Sequence, residues 1–342
     1  MKTVPVEQAV GMVLCHDITQ IIPGEFKGRA FKKGHIIQNE DVQKLKDIGK
    51  ENIFVFDMAE GLVHEDDAAL RIAEASAGQN ITYEEPKEGK VEFKAAVDGL
   101  FRVNTEALFD FHEDEKVMFA TIHGGRPVKA GDKLAGTRII PLVIEKRRLE
   151  RAEQVCRKNG PLIEVVPYKK FRVGIVTTGT EVFSGRIQDK FGSVVANKVK
   201  ALGGEVAGQI LVPDSVAQAQ EAARSFLERE DVDIVALTGG MSVDPDDISP
   251  STIRGVVDEV ITYGVPVLPG AMFMIGYAGG KPVVGLPGCV MYAKTSIFDL
   301  VLPYLACGLR LERRDLIKLA HGGFCTGCKE CRWPDCAYGK SC

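Results

Sequence analysis

Between Phe171 and Gly308 the chain alternates near-continuous apolar runs with stretches whose apolar residues recur at helical spacing. Val173-Gly-Ile-Val-Thr-Thr-Gly179 reads as a buried strand ending in a turn. Phe191, Val194, Val195, Val199 and Leu202 then form one stripe of a helix closed by Gly203-Gly204. A strand over Glu205–Val212 stops at Pro213-Asp214, and a second helix carries Val216, Ala219, Ala222, Ala223, Phe226 and Leu227. Asp233-Ile-Val-Ala-Leu237 is the next strand, followed by Thr238-Gly239-Gly240. Strand–helix alternation with apolar strands predicts a parallel sheet covered on both faces, a three-layer α/β/α unit over residues 169–308. Ile261–Gly280, twenty residues without a charge, is long enough for a membrane helix. Pro266, Pro269 and five glycines make it two buried strands joined by a turn instead.

The preceding chain is less regular. Residues 1–59 predict a small α+β unit: a hairpin around Phe31–Gln38, a helix over Asp41–Ile48 and a strand at Ile53-Phe-Val-Phe56. Residues 60–168 predict a second, mixed and β-rich domain. It opens with a helix from His64 to about Ala75, continues through strands at Val91–Phe93, Val117–Ile122 and Lys133–Leu142, and closes with a charged helix, Glu145–Lys158. The basic residues of that last helix are interleaved with Glu145, Glu150 and Glu153, the pattern of a solvated face.

Composition narrows the function classes. Over 342 residues, 43 Lys plus Arg oppose 47 Asp plus Glu, and hydrophobic residues make up 45%, so a strongly basic nucleic-acid face is not expected. The first residues lack an apolar targeting run, and neither a nucleic-acid nor a membrane partner is expected; the expectation is a cytoplasmic protein. Four of the nine cysteines are scattered, and five fall within the last eighteen residues.

In a parallel α/β sheet the ligand lies beyond the carboxyl ends of the strands. Four strand-end segments meet that description: Thr177–Glu181, Val212–Asp214, Thr238–Ser242 and Val284–Gly288. Paired glycines let backbone amides approach an anion, and the hydroxyls of Thr178, Thr238 and Ser242 add donors. Glu181, Asp214, Asp244, Asp246 and Asp247 belong to the same loops, and acids beside a phosphate site suit Mg2+. Some of these acids could instead cap the helix that starts near Ser249-Pro250. No Walker loop competes for the phosphate.

Read together, the TTGTE of 177–181, the turn ending in Asp189, the VPD of 212–214, TGGMSVDPDD at 238–247, Pro269-Gly270 and the GLPG of 285–288 resemble the molybdopterin-binding domain of molybdenum-cofactor biosynthesis proteins. Within that family the chain is most similar to the molybdopterin molybdenumtransferases, because a sizeable region precedes the domain. The resemblance implies binding of adenylated molybdopterin, insertion of molybdate and Mg2+-assisted release of AMP. It implies a pterin cradle of Thr178, Gly179, Asp189, Thr238, Gly239, Gly240, Ser242, Pro287 and Gly288. It places catalysis on Glu181, Asp214 and Asp247, with Asp214, Asp246 and Asp247 as metal ligands, and it implies a homodimer.

The chain also departs from the family. The Asp-Gly-Tyr-Ala segment of the family's second domain is absent from residues 1–165, where the nearest match is Asp98-Gly-Leu-Phe101. The usual Pro-Gly-Lys-Pro reads Pro269-Gly-Ala-Met272, and Cys289 replaces the Asn after GLPG. A non-catalytic molybdopterin carrier or sensor is therefore the alternative, and adenylation of molybdopterin a third reading.

Residues 309–342 take the place of the family's C-terminal β-domain. Cys325-x2-Cys328-x2-Cys331-x4-Cys336 predicts a metal-binding tail, with zinc placed ahead of an iron–sulfur cluster and Cys342 as a spare. Trp333 and Tyr338 are expected to cover that site, and a molybdoenzyme or another cofactor-biosynthesis protein is a candidate partner for the tail.

Overall fold

The computed structural model describes residues 2–22, 24–55, 61–242, 244 and 247–340. The chain forms two compact units: residues 1–94, 104–122 and 133–162 make one, and residues 95–103, 123–132 and 163–342 the other. Among the described residues no helix is long and apolar enough to cross a membrane.

In the first unit, Lys2–Pro5 pairs antiparallel with Asn52–Val55, and Ile18–Ile22 with Phe26–Phe31. The hairpin thus precedes the stretch where the sequence suggested it, and Lys32–Gln38 is its exit into the helix Asn39–Asp47. Val4, Val6, Leu14, Ile18, Phe31, Ile37, Leu45 and Ile53 form the small core of this part. Phe56, expected in the strand, lies outside the described residues. A four-stranded antiparallel sheet takes Ile81–Tyr83, Val91–Ala95, Lys133–Ile139 and Val117–Thr121 in that spatial order. Helix Glu65–Ser76 packs on helix Lys146–Asn159, and Arg71 Nε donates to the buried Glu153 carboxylate at 2.7 Å.

Elements of the second unit are labelled along the chain. A three-stranded antiparallel sheet consists of β1 (Gly99–Val103), β2 (Arg126–Val128) and β3 (Ile163–Pro167), with β1 in the middle. The larger sheet has β4 (Arg172–Thr178), β5 (Glu205–Val212), β6 (Ile234–Thr238), β7 (Glu259–Tyr263), β8 (Met274–Ala278) and β9 (Lys281–Leu286). Its spatial order is β5-β4-β6-β9-β8-β7.

The β5, β4, β6 and β9 strands are parallel, whereas β8 and β7 run antiparallel at one edge, so the sheet is mixed rather than parallel throughout. The reason is connection length. Only Gly279-Gly280 separate β8 from β9, and a two-residue link can make a hairpin but not a crossover. The uncharged stretch 261–280 does hold the end of β7 and all of β8, but a ten-residue connection with Pro269-Gly270 inside it joins them.

Alternation along the strands sends Val173, Ile175, Ile234, Ala236, Ile275, Val284 and Leu286 to one face. There they meet Phe191, Val195 and Val199 of α2 (Phe191–Ala201) and Ile297, Phe298 and Val301 of α5 (Ile297–Ala306). Val176, Val235, Leu237, Met274 and Val283 point to the other face. They pack on Ala219, Ala223 and Phe226 of α3 (Val216–Leu227) and on Ile253 of α4 (Ser249–Arg254). This is the three-layer arrangement expected of a sheet buried on both sides.

The Phe226 ring fills space that two strand glycines leave open: an added Cβ would stand 2.5 Å from it at Gly174 and 3.4 Å at Gly208. Phe226→Ala should lower the unfolding free energy by about 3–5 kcal/mol, the usual cost of emptying an aromatic core site. A urea transition would show it as a lower midpoint at unchanged slope.

Candidate functional site

The register of the sheet brings the four sequence-predicted loops to one end. Thr177 stands beside Thr238 and Leu211, Thr178 beside Val212, and Thr238 beside Leu286. The loops after β5, β4, β6 and β9 are therefore neighbours in that order.

The threonines at these strand ends face inward. Thr177, Thr178 and Thr238 are buried; Thr238 Oγ1 donates to Thr177 Oγ1 at 2.9 Å, and Thr178 Oγ1 donates to the Thr238 carbonyl at 3.4 Å. Hydroxyls that the sequence suggested for an anion are used to tie β4 to β6. At these positions the loops offer a ligand their backbone.

Glycine is required where that backbone turns. Gly239 has φ +86°, and an added Cβ would lie 2.2 Å from the Thr178 carbonyl oxygen. Gly240 follows at φ +50°. Ser249, at the start of α4, fixes the pair: its Oγ donates to the Gly239 carbonyl at 2.7 Å and its amide to the Gly240 carbonyl at 3.1 Å. Gly179, with φ +142°, leads into the short α1 (Thr180–Phe183), and its amide donates to the Val212 carbonyl at 3.2 Å.

The carboxylates divide by what they touch. Asp214 joins two loops, since its Oδ2 accepts from the Thr180 amide and the Thr180 hydroxyl, both at 2.9 Å. Asp247 holds its own loop, accepting from the amides of Ser242 at 2.7 Å and Asp244 at 3.2 Å. The Tyr263 hydroxyl steadies the same turn by donating to the Ser242 carbonyl at 3.2 Å. Glu181 is exposed, and its carboxylate reaches back toward Gly179, where a Cβ would be 3.0 Å from Oε1. Asp189 serves the first turn of α2: Oδ1 accepts from the Phe191 amide at 2.9 Å, and Oδ2 from Gly192 at 3.1 Å and from Gln209 Nε2 at 2.6 Å. Pro287 is buried and Gly288 exposed immediately beyond β9, while burial pushes the Cys289 thiol up from its ordinary value. Asp246 lies outside the described residues.

Thr180, Gln209, Ser249 and Tyr263 were not singled out from sequence. Gln209 carried a signal, as a long polar side chain in the otherwise apolar Val206–Val212 run. It donates to Thr177 Oγ1 at 2.9 Å as well as to Asp189. Among the described residues no three His, Cys, Asp or Glu side chains are grouped closely enough to share one metal ion.

The tail is folded onto this unit. Tyr338 is buried in the core beneath α5 and donates to the Pro269 carbonyl at 3.3 Å, and the Cys325 amide donates to the Leu268 carbonyl at 2.8 Å. Arg126 of β2 pairs with Asp335 at 2.7 Å. The four cysteines Cys325, Cys328, Cys331 and Cys336 line one pocket with Trp333 and Tyr338, and no disulfide joins them. Cys342 lies outside the described residues.

Comparison with known families and proteins bears on two stretches of the chain. Residues 3–57 match a family described only as a domain of unknown function, and residues 174–306 match one described as a probable molybdopterin binding domain. A molybdopterin molybdenumtransferase of Haemophilus influenzae is 28% identical over 171 residues, 46% of this chain and 42% of that protein. A CinA-like protein of Mycobacterium sp. (strain MCS) is 40% identical over 82 residues, 24% of this chain and 19% of that protein. The matched stretches thus span less than half the length of either relative. Among solved structures, the molybdopterin biosynthesis enzyme MoaB of Thermus thermophilus is 26% identical with a TM-score of 0.35, covering 40% of this chain and 91% of that one. The tungsten cofactor synthesizing protein MoaB of Pyrococcus furiosus is 22% identical with a TM-score of 0.31, covering 36% and 84%. Residues 174–306, the stretch that carries all four strand-end loops, thus match a probable molybdopterin binding domain and include sequence similar to a molybdopterin molybdenumtransferase.

Proposed function

We propose that this protein binds molybdopterin at the carboxyl ends of β5, β4, β6 and β9 and acts on it during assembly of the molybdenum cofactor. The observation that carries the reading is the Gly239-Gly240 turn, whose backbone passes so close to Thr178 that no side chain fits. Such close passage presents main chain to a ligand, as phosphate-binding turns do. Gly179, Ser242, Pro287 and Gly288 border the same end of the sheet and complete the cradle.

The chemistry proposed is insertion of molybdate into adenylated molybdopterin with release of AMP. Mg2+ would neutralise charge on the phosphoanhydride and orient the attacking oxygen. Glu181 and Asp214 supply the hard oxygen donors such an ion takes alongside phosphate oxygens and water. Asp214 is also bound to Thr180, so a ligand held there would be sensed by the loops after both β4 and β5. Support comes from the shared domain with the Haemophilus influenzae molybdenumtransferase.

A second reading, a molybdopterin carrier or sensor without turnover, is favoured by Asp247. Its Oδ2 already serves the Ser242 and Asp244 amides, the task of a loop staple rather than of a metal ligand. In that reading the cysteine tail docks a partner protein. A homodimer belongs to both readings.

The two are separated by following AMP after mixing anaerobically purified protein with adenylated molybdopterin, Mg2+ and molybdate. Molybdate-dependent AMP release is the expected outcome; tight pterin binding without release would establish the carrier. Glu181→Gln should lower the release rate by roughly a hundredfold, the scale of losing one charge-stabilising group, while pterin affinity stays within a few-fold. Gly239→Ala should weaken pterin binding itself, because the Cβ must displace the Thr178 carbonyl. Fluorescence titration with molybdopterin would read that loss, and circular dichroism would show the fold retained.

A further inference from the structure

We propose that Cys325, Cys328, Cys331 and Cys336 hold an iron–sulfur cluster, built into the second unit at the same end of the sheet as the molybdopterin loops. Their thiols are not gathered as a single ion would gather them, since among the described residues no three His, Cys, Asp or Glu side chains are grouped closely enough to share one metal ion. All four cysteines line one solvent-open pocket of about 320 Å3 together with Trp333, Tyr338, Phe324 and the Ala293–Thr295 segment. A single tetrahedral zinc has its sulfurs at about 2.3 Å, which puts them about 3.8 Å from one another. Sulfurs that close are in contact, and no pocket survives between them. An inorganic core of iron and sulfide bridges thiols that stand farther apart than that, and the pocket they line has room for it.

The side chains around the pocket suit a thiolate-bound cluster. Thr295 Oγ1 lies 3.1 Å from Cys331 Sγ, and Thr326 Oγ1 lies 3.5 Å from Cys328 Sγ. With the sulfurs as thiolates, both hydroxyls donate, and hydrogen bonds to cluster sulfurs set reduction potential. Lys294 and Arg332 also line the pocket and offset the negative charge of four thiolates. Trp333 and Tyr338 give the pocket an apolar wall.

The frame is rigid. The tail is hydrogen-bonded to the segment before Pro269 on both sides of Phe324: Cys325 N donates to Leu268 O at 2.8 Å, and Leu268 N to Gly323 O at 2.7 Å. Lys294 Nζ donates to the Lys329 carbonyl at 2.9 Å between the second and third cysteines. Gly339 packs so closely on Leu300 of α5 that a Cβ would sit 2.3 Å from its side chain.

Location follows from register. Met274 pairs with Gly285, so the chain enters β8 from the end of the sheet at which β9 delivers Leu286-Pro287-Gly288. Pro269 and residues 293–295, which line the cysteine pocket, flank that end. The Leu268–Pro269 segment and the Gly288–Ser296 connection thus serve both the pterin loops and the tail.

Assembly exchanges four S–H bonds for four Fe–S bonds and releases four protons, with two ferrous ions, two ferric ions and four sulfides supplied from solution, so no net oxidation or reduction is required. The test uses the full chain, stripped of metal by chelation and reconstituted without oxygen with iron, sulfide and a thiol reductant. Iron and acid-labile sulfide should both bind, about four of each per chain for a cubane on four cysteines, with a broad sulfide-to-iron charge-transfer band in the visible. Cys328→Ser and Cys331→Ser, at exposed positions, should abolish that band while circular dichroism and molybdopterin binding stay as in the parent. Thr295→Val should keep the iron and sulfide content but shift the reduction potential measured by dye titration. One tightly held zinc per chain with four sulfur neighbours by X-ray absorption, or iron without labile sulfide, would overturn the proposal, as would failure to take up either metal. Iron and sulfide content do not depend on molybdenum insertion, so this outcome and that of the AMP assay are read separately.

Discussion

Everything at the candidate site depends on how closely the ends of two parallel strands approach. The turn after β6 passes over the end of β4 with no room for a side chain between Gly239 and the Thr178 carbonyl. Parallel pairing alone sets the spacing of the strands, but the hydroxyl contacts among Thr177, Thr178 and Thr238 add a second tie at this end. Once that approach is fixed, Ser249 can hold both glycine carbonyls from the start of α4, and Asp247 can gather the amides of Ser242 and Asp244. The adjoining loop is tied in by the contacts between Asp214 and Thr180. A preorganised main-chain surface results, and its polar side chains are spent on holding the shape. Such a surface recognises a ligand without first reorganising, which is where much of binding free energy is otherwise lost.

The apolar runs at 173–176 and 234–237 made the central strands legible, because a strand buried on both faces has a composition little else produces. The clustering of glycines and acids at their ends marked a candidate site, whose loops the sheet register brings together. Direction was not legible for β7 and β8: an apolar run does not say which way it pairs, and the two-residue link to β9 decides it. Nor were the tasks of individual polar side chains. Thr178 and Asp189 carry the right chemistry for a ligand, yet one ties two strands and the other starts a helix, and only packing distinguishes these uses. The short strands Arg126–Val128 and Ile163–Pro167 were missed because edge strands of three to five residues show too little alternation to stand out.

The tail illustrates a different balance. Residues 309–342, with five cysteines among them, have little core of their own. Tyr338 supplies what is missing by entering the core beneath α5, with its hydroxyl satisfied by the Pro269 carbonyl. Burial also pushes that phenol well above its ordinary pKa, so it stays neutral. The tail is therefore part of the domain's packing, and its cysteines are held against the body of the protein rather than on a tether.

The path of the chain through the two units has a consequence for synthesis. The second unit takes residues 95–103 and 123–132 before its main body begins at 163. Strand β1, with the buried Leu100 and Phe101, pairs with β3, so Phe101 meets Val165 only after the intervening first-unit segments have been made. A nascent chain emerging from the ribosome must carry that apolar strand without its β3 partner for the whole interval, a stretch in which a chaperone or a wrong partner can claim it. The same threading means the second unit has no single point where a cut frees it whole. Recombination that exchanges the N-terminal region of such a protein must carry β1 and β2 along, or leave β3 without its sheet.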